Sequence, residues 1–159
     1  MGQEHKCSSG RARIAATFGI VVSLIAVPLV SLAQSTSPPS CTNPVGTWTN
    51  QLKSTLIIEK YDSASGSLAG KYMSPSGTSG ESFPVVGWLN ALQPNSAGDN
   101  ATIIALSVRW GKYGSVTSWT GICKAASNGP VLNAQWLLGR SNSSFEWDHV
   151  LTGSDIFKP

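Results

Sequence analysis

Tryptophans and hydrogen-bonding side chains recur together along this chain in a pattern that could bind a small molecule. In extended backbone, successive side chains point to opposite faces. On that parity Trp48, Asn50 and Leu52 share one face. So do Leu106, Val108 and Trp110, then Thr117 and Trp119, then Ala134, Trp136 and Leu138, and finally Leu151, Gly153 and Asp155. If those faces point inward, the interior combines indole surface with an amide, a hydroxyl and a carboxylate. An ordinary core avoids such groups, because every buried polar atom needs a partner. A ligand with both apolar and hydrogen-bonding surfaces would supply those partners. The chemistry implied is recognition rather than catalysis. No nucleophile–base pair is evident, and His149 alternates with Asp148 and Val150 on what should be the outer face. No Cys/His cluster suits a metal.

The elements that must carry these residues read as strands. After residue 40 no segment has a helical period, and short β-branched and aromatic runs alternate with Gly, Ser, Asn and Pro clusters. Eight strands are expected, at about 46–52, 54–60, 67–73, 83–89, 102–110, 116–124, 131–138 and 147–155. Turns are marked by Lys53, 62–66, 76–80, 95–100, 127–129 and 141–144. Eight sequential strands with short connections predict an all-β, antiparallel up-and-down barrel, since closure removes exposed edges. A barrel of that size holds one small ligand in its mouth. A β-sandwich is the alternative.

The first 33 residues stand apart. Lys6, Arg11 and Arg13 precede an uncharged, mostly apolar run from Ile14 to Ala33 that closes on Ser31-Leu32-Ala33. This predicts a secretory signal cleaved after Ala33, with an uncleaved membrane anchor as the alternative. Residues 34–40 are a polar, Pro-rich leader, and the barrel domain is expected over 41–159. Without the signal, eight bases face seven acids, which gives no electrostatic case for nucleic acid. Cys7 leaves with the signal. Cys41 and Cys123 remain as an even pair in an exported chain, for which a disulfide is the default.

The same residues carry a family resemblance. Gly46-Thr47-Trp48-Thr49-Asn50-Gln51-Leu52-Lys53-Ser54, Leu68-Ala69-Gly70-Lys71-Tyr72, Trp119-Thr120-Gly121, Gln135-Trp136-Leu137-Leu138 and Gly153-Ser154-Asp155-Ile156-Phe157 resemble, in order and spacing, the strands of the avidin–streptavidin family. The likeness runs from Cys41 to Phe157. It implies an eight-stranded streptavidin-like barrel that binds biotin tightly and without covalent change, and it implies no cofactor. The cysteine pair and the short interval from Trp110 to Ser115 resemble the egg-white branch.

The resemblance also implies roles. The ureido oxygen of biotin would accept hydrogen bonds from Asn50, Ser54 and Tyr72, and the ureido nitrogens would donate to Ser74 and Asp155. Asp155 would also orient the Asn50 amide. Thr117 would face the ring sulfur, with Trp110, Trp119 and Trp136 as walls beside the inward-facing Leu52 and Leu138. Ser115 and the loop residue Thr78 would serve the carboxylate end. Trp147 matches a tryptophan that crosses to a neighbour's pocket, implying a homotetramer, with a homodimer as the alternative. The mature protein would be secreted or periplasmic.

Departures from the family are also visible. The loop 74–80 is rich in Gly and Ser and contains Pro75, and Lys112 and Tyr113 replace residues that touch the ligand tail. Trp88 has no counterpart and is assigned to the exterior or to an interface. Asn100-Ala101-Thr102 and Asn142-Ser143-Ser144 are glycosylation sequons. Competing functions are an avidin-like oligomerisation module, a lipocalin-like carrier and a glycan-binding module. A lipid carrier should have a more apolar interior, and a purely structural barrel need not keep the polar set.

Overall fold

Period-two burial shapes the strands. In Ser82–Asn90, Phe83, Val85 and Leu89 are buried while Val86 and Trp88 face outward. In Thr102–Arg109, Thr102, Ile104, Leu106 and Val108 are buried in the same rhythm. A strand with one apolar face must cover that face, and here it does so by curling into a barrel. The computed structural model describes residues 37–92 and 98–159, all within one compact unit, Ser35–Pro159. The expected signal segment and residues 34–36 of the leader lie outside the described residues, as do residues 95–97 of the expected 95–100 turn.

Eight strands follow one another: β1 (Gly46–Asn50), β2 (Thr55–Tyr61), β3 (Ser67–Met73), β4 (Ser82–Asn90), β5 (Thr102–Arg109), β6 (Ser115–Ala126), β7 (Gly129–Arg140) and β8 (Val150–Lys158). Each pairs antiparallel with the next, and β8 returns to β1, closing the barrel. The eight-stranded antiparallel architecture expected from the sequence is therefore the one observed. The core is filled by Trp48, Leu56, Ile58, Val85, Val108, Leu132 and Phe157. The Trp48 indole N–H donates to the Pro44 carbonyl at 2.9 Å, so even this buried ring is satisfied. Cys41 and Cys123 form a disulfide, tying the segment before β1 to β6 across 82 residues of sequence.

Two details differ from expectation. β1 stops at Asn50 because Lys53 takes a left-handed φ of 64° and the Asn50 carbonyl accepts from the Lys53 N–H, forming a turn. Leu52 therefore leaves the inward face and is 63% exposed. β8 begins at Val150, three residues later than the sequence suggests, because Glu146–Asp148 forms a single 3-10 turn. Arg140 holds that turn, donating through Nε to the Asp148 carbonyl at 2.8 Å and pairing with the Asp148 carboxylate. His149 follows that turn, with Nδ1 2.8 Å from the Arg140 carbonyl oxygen.

The β1–β8 seam is short, with Thr49 opposite Lys158 and Asn50 opposite Phe157. Gln51 extends it with its side chain. Its Nε2 donates to the Ser154 carbonyl at 3.1 Å, and its Oε1 accepts from the Ile156 N–H at 2.8 Å. A side-chain amide thus supplies the donor and acceptor that a further strand residue would have supplied.

Candidate functional site

The strands converge on one cavity with two continuous parts. An inner chamber of about 140 Å³ is lined by Asn50, Leu52, Ser54, Tyr72, Trp119 and Asp155 together with Ser74, Trp110, Thr117, Trp136 and Leu138. Those last five residues also line an outer chamber of about 390 Å³, which adds Ser76, Gly77, Thr78, Tyr113 and Ser115. Every expected site residue except Trp147 reaches this cavity. Leu52 does so from the turn rather than from a strand face.

The inner chamber is organised around Asp155 on β8, which is 3% exposed. One carboxylate oxygen accepts from Asn50 Nδ2 at 2.7 Å, and the other accepts from the Trp119 indole at 2.8 Å. Gln51 Nε2 reaches the first oxygen at 3.4 Å. The Asn50 carbonyl oxygen accepts from the backbone N–H groups of Ser54 at 2.8 Å and Leu52 at 3.0 Å. That bonding fixes which end of the Asn50 amide is the donor, and it leaves the second N–H of Nδ2 as a further donor. Trp110 on the opposite wall donates to Thr117 Oγ1 at 2.7 Å. Ser54 Oγ lies 3.5 Å from Ser74 Oγ. The polar interior expected from the sequence is present, and each fully buried polar atom among the described residues already has at least one partner. The polar side chains satisfy one another, which preorganises them.

Tyr72 on β3 stands against Trp110, Trp119 and Phe157, with ring centroids 5.7, 5.1 and 6.4 Å away. Burial raises its phenol to about 12, with Ser54 opposing and the Asp155 charge adding to the rise. The hydroxyl therefore stays a neutral donor at ordinary pH. Gly153 on β8 lies opposite Trp136, and a Cβ there would come within 2.3 Å of the indole. Only glycine leaves room for that wall. Gln51 was missed by sequence reasoning because a Gln in a turn has no parity signal.

Trp147 is 77% exposed and lines neither chamber. It stacks on Phe145 at 5.4 Å and 14°, so two large rings project together from the β7–β8 connection. Trp88 is also on the exterior, at 62% exposure. Among the described residues no group of three or more His, Cys, Asp or Glu could hold a metal ion.

Comparison with known proteins agrees with this geometry. Residues 38–159 match the model of the avidin family. The chain belongs to the avidin family. Members of the avidin family are biotin binders and not enzymes. Afifavidin from Afifella pfennigii is 31% identical over 150 residues, covering 84% of this chain and 87% of that protein. The avidin-like crystal structure of Xenavidin superposes with a TM-score of 0.60 at 28% identity, covering 73% of this chain and 96% of that one. Core-bradavidin gives a TM-score of 0.57 at 32% identity, covering 70% and 96%.

Proposed function

We propose that this protein binds biotin non-covalently and with high affinity in the two-part cavity, with the ureido ring in the inner chamber and the valerate tail in the outer. The observation that carries the reading is the Asn50–Asp155–Trp119 network, because its donors are already aimed before any ligand arrives. The second Asn50 N–H, the Ser54 hydroxyl and the Tyr72 phenol donate to the ureido oxygen. Three convergent donors favour a polarised oxygen, as an oxyanion hole does. Ser74 and Asp155 accept from the ureido nitrogens, and the carboxylate strengthens the chain of bonds through Asn50. Trp110, Trp119, Trp136 and Leu138 supply apolar walls, with Leu52 at the lip and Thr117 facing the ring sulfur. Ser115 and Thr78 serve the carboxylate end from the outer chamber. No cofactor takes part.

Trp147 acts on a second copy in this reading. An exposed Trp stacked on an exposed Phe is a surface that another protomer can cover, and an isologous contact lets each protomer both give and receive a Trp. The assembly is a homotetramer of two barrel pairs, and a homodimer is the simpler form of the same exchange. The mature protein is exported after cleavage at Ala33, in line with the generally secreted habit of the family. Calorimetric titration with biotin, paired with native mass spectrometry, tests the whole reading. One biotin per chain on a tetramer is the expected result, and no heat with biotin contradicts it.

A further inference from the structure

β8 carries Asp155 on a strand that is supported unevenly. From Val150 to Phe157 it pairs with β7, and Asp155 sits opposite Ala134. On its other side only Phe157 and Lys158 face β1. Asp155 therefore lies beyond the reach of the β1 pairing. The open side of such a strand presents backbone N–H and C=O groups that need partners.

Gln51 meets that need on both sides of Asp155. Its Nε2 donates to the Ser154 carbonyl at 3.1 Å, and its Oε1 accepts from the Ile156 N–H at 2.8 Å. The same Nε2 lies 3.4 Å from Asp155 Oδ1, the oxygen that also accepts from Asn50 Nδ2 at 2.7 Å. The Trp119 indole donates to Oδ2 at 2.8 Å. An ionised carboxylate offers about four lone-pair positions. Asn50 and Gln51 occupy Oδ1, and Trp119 takes one position on Oδ2. The position left for another donor is on Oδ2. Gln51 itself lines neither chamber of the ligand cavity and borders a separate cleft with Thr49, Ile156 and Lys158.

We propose that Gln51 is a positioning residue for ligand binding: it clamps β8 on both sides of Asp155 and fills Oδ1, so that the carboxylate keeps Oδ2 turned to a ligand N–H. The identity of that ligand rests on the biotin reading above. The clamp needs a donor and an acceptor on one side chain. An amide supplies both, whereas an ionised carboxylate only accepts and an ammonium only donates. Hydrogen bonds between neutral groups contribute modestly, so Gln51 adjusts binding while Asp155 carries it.

The test uses the intact assembled protein. Gln51→Leu keeps a side chain of similar bulk and removes both polar ends. Gln51→Glu keeps an acceptor for the Ile156 N–H but puts a second carboxylate beside Asp155. Solution NMR of the unliganded protein follows the indole N–H signals. Trp119 donates to Asp155, whereas Trp48 donates to Pro44 and Trp110 to Thr117. The clamp predicts that both variants move the Trp119 signal and the Asn50 side-chain amide signals, with those of Trp48 and Trp110 unmoved. Release of radiolabelled biotin should quicken about three- to tenfold in Gln51→Leu, the scale of one neutral hydrogen bond, and further in Gln51→Glu. Either variant decides the matter if the other does not fold. A lower thermal midpoint with the Trp119 signal in place overturns the clamp, since Gln51 would then only close the seam. Equal movement of all three indole signals overturns it too, as a loosening of the whole barrel. A moved Trp119 signal with unchanged biotin release overturns the part that Gln51 plays in binding and leaves the biotin reading standing. A wild type that takes up no biotin defeats the biotin reading alone. The NMR comparison then still decides the clamp: a moved Trp119 signal upholds it and an unmoved one overturns it.

Discussion

Asn50 and Asp155, at the bottom of the cavity, are 6% and 3% exposed, and each is held by at least two hydrogen bonds from the protein. At the mouth, Glu81 and Lys112 meet in the open, and Trp147 touches Phe145 above solvent. The two regions are governed by different physics. Below, low dielectric makes each bond strong and each broken bond expensive, so the groups come as a closed network on neighbouring strands. Above, water competes for every contact, so each contact there is individually weak.

The largest break should come from below. Asp155→Ala leaves the Asn50 amide and the Trp119 indole without their acceptor and should weaken biotin binding by about 3–5 kcal/mol. Competition against labelled biotin measures it, and an unchanged dissociation rate would remove Asp155 from the site. The barrel frame sharpens the contrast. Replacing both Cys41 and Cys123 with Ser should lower unfolding stability by about 3–5 kcal/mol in denaturant titrations, because the disulfide closes a long loop. Binding at low temperature should persist, since neither cysteine lines the ligand cavity. Lost binding in a folded double variant would show that frame and site are not separable.

Trp147→Ala tests the mouth. If its indole is buried against a neighbour, the change should remove about 2–3 kcal/mol. Faster biotin release and a weaker oligomer in sedimentation should appear together. A monomeric wild type that holds biotin tightly contradicts the shared pocket. A pH experiment returns to the inner chamber. The Tyr72 phenol, ordinarily at 10.0, is raised to about 12 in the folded protein. Between those values the native state keeps a proton that the unfolded chain has lost. Stability from this group is therefore complete below about pH 10 and declines as pH rises through about 12, by roughly 2–3 kcal/mol in all. Tyr72→Phe should lack that portion of the alkaline decline in denaturation curves, and equal declines would assign the effect elsewhere.

What the sequence revealed follows the same division. Strand parity placed Asn50, Trp110, Thr117, Trp119, Trp136, Leu138 and Asp155 around one cavity, because period-two alternation survives closure into a barrel. Leu52 escaped the pattern because parity ends where Lys53 turns the backbone. Trp147 was assigned to a strand, but Arg140 holds its segment as a 3-10 turn through contacts that no local pattern encodes. Gln51 and Glu81 bond partners 31 or more residues away in sequence, so only the folded chain brings them together. β6 and β7 also run longer than expected, because Ala126 pairs directly with Gly129 across a two-residue turn.

The proposed biotin binding depends on an inner chamber that is already built before the ligand arrives. A crystal structure of the biotin complex tests it most directly. The ureido oxygen is expected within hydrogen-bonding distance of Asn50 Nδ2, Ser54 Oγ and Tyr72 Oη, with the Asn50–Asp155–Trp119 bonds unchanged. Biotin bound elsewhere would overturn the proposed site, and an Asn50–Asp155 pair that rearranges to receive it would overturn its preorganisation.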